Sequence, residues 1–70
     1  AWRNYIRELN RLEINDYRLE PGSEKETFLF HCMLPSRDKP RVTRRFEAES
    51  DDPLQAVAQV IRQVREHLGE

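Results

Sequence analysis

The sequence has few of the residues that carry covalent or metal chemistry. Its 70 residues include one cysteine, two histidines and two glycines. A single cysteine cannot form a disulfide within the chain, which favours a reducing compartment, and we therefore expect a cytoplasmic protein. Two glycines exclude a glycine-rich phosphate-binding loop. The histidines and the cysteine lack the regular spacing of a metal site, so we predict no metal and no cofactor.

The sequence also lacks a dominant charge and a long apolar run. Twelve basic residues nearly balance thirteen acidic ones, for a net charge of -1, so no overall charge attracts nucleic acid or an anionic membrane. No apolar segment approaches the roughly 20 residues of a transmembrane helix, and we predict no membrane association.

What the sequence does contain is a set of clustered apolar residues. Charged residues make up 36% of the chain, yet the apolar ones fall in periodic segments, which indicates a folded domain. A chain of this length forms one domain at most, so residues 1–70 are predicted to be a single small domain. The sequence does not begin with methionine, and we expect the domain to be a fragment of a longer protein.

Two segments repeat their apolar residues with the spacing of an amphipathic helix. The first covers residues 1–12 and carries Arg3, Arg7 and Arg11 on its polar side. The second follows Asp52, a favourable N-cap residue. Its predicted apolar face consists of Leu54, Val57, Ala58, Ile61, Val64 and Leu68.

The ends of the second helix are marked by their residue types. Pro53 suits the first helical position, and Gln55 is placed to complete a capping box with Asp52. Gly69 suits the position just after the helix.

Three segments between the helices alternate polar and apolar residues, as strands do. The first surrounds residues 17–19 and ends at Pro21 and Gly22, a strong turn pair. The second covers residues 27–34, and the third covers residues 41–49. In the second strand one face is predicted to lie in the core, and it carries Phe28, Phe30, Cys32 and Leu34.

The predicted element order is therefore α-β-β-β-α. Short connections make the sheet a three-stranded antiparallel meander. Each helix has one apolar stripe and the sheet has one strongly apolar face. We predict an α+β fold of two layers, with both helices packed on one face of the sheet.

This order and length resemble those of the double-stranded RNA-binding domain, over the whole chain but without its motifs. Proteins of that family typically contact RNA through the first helix, the loop between the first two strands and a lysine-rich start to the last helix. Arg3, Arg7 and Arg11 correspond to the first surface. The segments EPGSEKE (20–26) and ESDDPLQA (49–56) are acidic where the family is basic. The resemblance implies the fold, and we expect little duplex RNA binding, which depends on phosphate contacts.

A basic segment nevertheless covers residues 36–45. Its basic residues are Arg37, Lys39, Arg41, Arg44 and Arg45, against a single Asp38. Together with the arginines of the first helix they would form the surface of a nucleic-acid-binding domain, which is the alternative function. The simpler interpretation is a solvated hairpin whose charges pair with the acids that follow. Arg44 falls on the same side of the predicted strand as its apolar neighbours. This position indicates an edge strand, where the charged end of the side chain stays in water.

The other face of the second strand carries Leu29, His31 and Met33. No helix is predicted to cover this face, and its flanking residues are Arg18, Thr43 and Arg45. The stripe is a candidate contact for another protein, another domain of the parent chain or a second copy. The simpler interpretation is ordinary exposed apolar surface.

His31 and Cys32 are adjacent, which raises the question of a catalytic pair. Neighbours in a strand point to opposite faces, so their side chains cannot reach each other. We therefore predict that the protein is not an enzyme. The function predicted from the sequence is a non-catalytic interaction or structural module that uses the helix-free face of its sheet.

Overall fold

The computed structural model describes residues 2–36, 38–39 and 41–70. Its elements are α1 (Trp2–Arg11), β1 (Asp16–Pro21), β2 (Phe28–Pro35), β3 (Thr43–Ser50) and α2 (Pro53–His67). The strands form one antiparallel sheet in the order β1-β2-β3, so β2 is central and the other two are edges. The predicted order and the antiparallel meander are confirmed.

The core lies between the helices and one face of the sheet. α2 contacts β2 and β3, and α1 packs against α2. Among the described residues, one cluster contains all the buried apolar side chains: Leu9, Leu12, Ile14, Phe30, Cys32, Leu34, Phe46, Ala56, Val57, Val60, Ile61 and Val64. Both helices therefore share a core with the even-numbered residues of β2.

α1 ends in a left-handed turn that directs the next residue into the core. Glu13 has a φ of 61°, and its N–H donates to the carbonyl of Asn10. The N–H of Ile14 donates to the carbonyl of Leu9 at 2.9 Å, and Ile14 is fully buried. The sequence patterns did not identify this core residue because it falls between the helical and the strand periodicities.

The start of α2 is capped as predicted, with one difference. The Asp52 carboxylate accepts a hydrogen bond from the N–H of Leu54 at 3.0 Å, and Pro53 begins the helix. The capping box predicted with Gln55 is replaced, because the Asp52 N–H donates to the hydroxyl of Ser50 at 3.2 Å. At the other end Gly69 has a φ of 79°, a conformation that glycine adopts without strain.

Two features of the predicted core are wrong. Phe28 is 36% exposed because it stands on the last rung of the sheet, opposite the terminal residues of β1 and β3. The buried face of α2 includes Ala56 and Val60, which the prediction omitted. It leaves three predicted members only half-buried: Leu54, Ala58 and Leu68. α2 packs against the sheet on one side and α1 on another, which shifts and widens its buried face.

The edge position of β3 accounts for the exposure of two other residues. Arg44 lies on the edge strand β3 opposite Leu34 and is exposed, so its charge remains in water. Val42, which has the same parity, precedes the start of β3 and is 55% exposed.

The two phenylalanines of β2 provide a matched test of the core. Phe30 is fully buried, whereas Phe28 is partly exposed. Replacing Phe30 with alanine should lower the free energy of unfolding by about 3–5 kcal/mol, because it leaves a cavity. Phe28→Ala should lower it by much less. Urea unfolding of both variants measures the difference, and equal losses would contradict this assignment of the core.

Candidate functional site

The sheet face opposite the helices is called here the open face. Its central stripe consists of Leu29, His31 and Met33, which alternate along β2 with the buried residues. All three are half-buried, and the side chain of His31 is only 16% exposed. Since the helices pack on the other side, this partial burial comes from neighbouring strands rather than from a covering layer.

Three rungs of the sheet arrange charged residues on both sides of the stripe. His31 lies between Arg18 and Glu47, Leu29 between Glu20 and Glu49, and Met33 between Asp16 and Arg45. Two of the predicted flanking residues, Arg18 and Arg45, therefore lie directly beside the stripe. The third, Thr43, lies opposite Pro35 at the end of β2.

Four acidic neighbours were missing from the predicted surface: Asp16, Glu20, Glu47 and Glu49. They share the parity of Arg18 and Arg45 within their strands, so strict alternation along β1 and β3 could have identified them. Two close contacts connect polar side chains on this face. The Nε2 of His31 lies 3.6 Å from Glu20 Oε2, and Arg45 Nη2 lies 3.4 Å from Glu47 Oε2.

The acidic end of the open face is attached to the β1–β2 loop. The hydroxyls of Thr27 and Ser23 donate to the Glu49 carboxylate at 2.8 and 2.9 Å. The hydrogen bond from Thr27 has the largest effect on the pKa of Glu49, followed by that from Ser23. Both lower this pKa because they stabilise the charged form. Gly22 lies next to the Thr27 hydroxyl and the Glu49 carboxylate, and a Cβ at this position would overlap the Thr27 hydroxyl. The carboxylate therefore stays ionised beside Leu29.

The basic residues of the alternative surface have different surroundings. Arg11 is paired with Glu8 at 2.6 Å and with Glu70 at 2.7 Å, and its hydrogen bonds lower the pKa of both carboxyls. Arg3 and Arg7 are exposed. In the basic segment Lys39, Arg41 and Arg44 are exposed, and Arg37 lies outside the described residues.

Acidic residues lie near the elements that carry the two basic sets. A groove between the end of α1, the end of α2 and the β2–β3 hairpin includes Glu13 and Asp38 in its lining. The start of α2 presents Asp51 and Asp52, both exposed. Acidic side chains therefore accompany the basic residues of the alternative surface.

Cys32 has the environment of a core residue. It is fully buried, and desolvation raises the pKa of its thiol to about 11, which suppresses the reactive thiolate. His31 lies on the opposite face of β2. Within residues 2–36, 38–39 and 41–70, no three His, Cys, Asp or Glu side chains are grouped to hold a metal ion.

Across the part of the chain that the structure describes, no helix has both the length and the apolar character needed to cross a membrane. No protein-family model and no curated protein matches the sequence, and no solved structure matches the chain. The similarity to the double-stranded RNA-binding domain is therefore one of element order and length.

The burial of Cys32 can be tested by its reactivity. The thiol should react with a thiol-specific reagent only when the domain unfolds, because burial blocks access and raises its pKa. Labelling rates with and without denaturant measure this. Prompt labelling of the folded domain would place Cys32 on the surface and exchange the two faces of β2, because a shift of one residue reverses them.

Proposed function

We propose that this domain is a non-catalytic interaction or structural module that binds another protein, or another domain of its parent chain, through the open face. The observation that carries the proposal is the position of Leu29, His31 and Met33 in the middle of a sheet face that the two packed helices leave uncovered. The single buried cysteine supports a reducing compartment such as the cytoplasm.

The chemistry of the open face describes the partner. Its apolar stripe is one strand wide, so a complementary surface has a single row of apolar side chains. The Leu29 end lies between Glu20 and Glu49, whereas the Met33 end lies between Asp16 and Arg45. A partner with basic residues at one end of its row would meet these charges with the correct sign.

Nucleic-acid binding is the alternative, and fewer observations support it. Its favourable feature is the set of exposed basic residues Lys39, Arg41 and Arg44. Against it, Arg11 is already paired with two carboxylates, and acids lie at the start of α2. Phosphate contacts dominate affinity for nucleic acids, so acidic groups beside the basic residues weaken binding.

Site-specific photo-crosslinking tests the open face. A photo-reactive residue introduced in place of His31 in the parent protein should form one dominant adduct with another protein or another segment of the parent. The matched control carries the same residue in place of Arg62, whose side chain is 82% exposed on α2. The change Leu29→Lys/Met33→Lys should then abolish binding of the identified partner and leave the circular dichroism spectrum intact. Equal adducts from both positions would contradict the proposal.

A duplex RNA of about 16 base pairs tests the alternative. We expect binding no tighter than roughly 10⁻⁴ to 10⁻⁶ M at physiological salt, the range of non-specific association. Residual binding at low salt should disappear in Arg44→Glu/Arg45→Glu. It should strengthen in Asp51→Lys/Asp52→Lys, which also loses the Asp52 cap at a cost of about 1 kcal/mol. Submicromolar affinity with a steep salt dependence would favour the nucleic-acid function.

A further inference from the structure

The edge strand β3 presents a regular set of backbone groups to solvent. The N–H of Ser36 donates to the carbonyl of Val42 at 2.8 Å. This hydrogen-bonded pair continues the β2–β3 register and lies two residues beyond the Leu34–Arg44 pair. Bonded and non-bonded rungs alternate in an antiparallel pair, so Arg44, Phe46 and Ala48 bond to β2. The odd-numbered residues from 43 to 49 therefore point their N–H and C=O groups away from the sheet.

A contact with α2 agrees with this assignment. The Nε2 of Gln63 donates to the carbonyl of Glu47 at 3.1 Å. A carbonyl oxygen has two lone pairs, so this group can still accept a second hydrogen bond from outside. The outer backbone of β3 is thus available for a further strand.

We propose that two copies of this chain associate through β3, antiparallel, to form one continuous six-stranded sheet. In the proposed register Phe46 lies opposite Phe46 of the second copy, and Arg45 lies opposite Glu47 of the second copy. This self-association uses the edge of the sheet and does not depend on the partner proposed for the open face.

The charge sequence of β3 selects this register. The strand reads TRRFEAES, with its basic residues in the first half and its acids in the second, so it is complementary to itself when antiparallel. Centred on Phe46, the pairing places Arg45 opposite Glu47 twice. Centring on Arg45 or on Glu47 would place that residue against itself. Opposite charges facing each other across strands are favourable, and like charges are destabilising.

The other edge of the sheet is less suited to pairing. The N–H of Gly22 donates to the carbonyl of Thr27, which continues the β1–β2 register, so Tyr17, Leu19 and Pro21 point their backbone groups outward. Proline has no N–H, which leaves β1 with two outward donors where β3 has four. The association is therefore assigned to β3.

The helix beside β3 is compatible with a neighbouring copy. Gln55, Gln59 and Gln63 recur every four residues on α2, and Gln63 reaches the outer edge of β3. Two copies related by a two-fold axis would bring these stripes toward each other. Because amide side chains are uncharged and both donate and accept hydrogen bonds, the approach creates no like-charge repulsion.

Charge reversal in the 70-residue chain tests the proposed register. In Arg45→Glu and in Glu47→Arg, both charged rungs change from attraction to repulsion, so each should weaken self-association by at least about tenfold. The double reversal Arg45→Glu/Glu47→Arg should restore it, because the complementary pairs are re-formed. An equimolar mixture of the two single variants should form mixed dimers. Sedimentation equilibrium at low salt measures all of these, with circular dichroism to confirm folding.

Two control variants separate this interface from the open face. Arg18→Glu reverses a charge on the opposite edge strand, and Leu29→Lys/Met33→Lys changes the stripe. Both should dimerise like the unmodified chain, whose mass should rise with concentration to twice that of the monomer. The proposal is overturned if the unmodified chain stays monomeric at millimolar concentration, if the double reversal fails to restore dimers, or if either control variant loses them.

Discussion

The register of β2 is the constraint on which the rest of the structure depends. β2 is hydrogen-bonded along both sides, so its alternation decides what β1 and β3 present to each face. A shift of one residue would move Phe30 and Cys32 to solvent and bring His31 into contact with the helices. Full burial of Phe30 and Cys32 in a small core makes that exchange costly, which determines the positions of the charged residues around the open face.

Much of this architecture could be predicted from the sequence because its signals are local. The N-cap Asp52, the proline after it and Gly69 mark the ends of α2, and alternation in β2 assigns its faces. The incorrect predictions concern residues whose burial depends on contacts between different elements. Phe28 has the parity of a core residue but stands on the last rung, and Val60 becomes buried because α2 packs against two neighbours. The periodicity of one segment reveals neither the end of the sheet nor the number of elements that pack against a helix.

The candidate site was predictable in part for the same reason. The stripe of Leu29, His31 and Met33 follows from parity in one strand, whereas its flanks depend on how three strands align. The sequence interpretation paired the arginines with adjacent acids across or along the strand, and Arg45 lies 3.4 Å from Glu47 on β3. The sheet also places Glu20 and Glu49 on the two sides of Leu29, and that alignment comes from the register of two hairpins.

The proline at the end of β1 has a consequence for how far assembly can proceed. In a pair joined through β3, the outermost strands on both sides are β1, and each ends in Pro21. A strand approaching that edge finds no donor at this residue, so sheet growth meets a barrier at both ends. Such a pair would close on itself with two-fold symmetry instead of propagating as a filament.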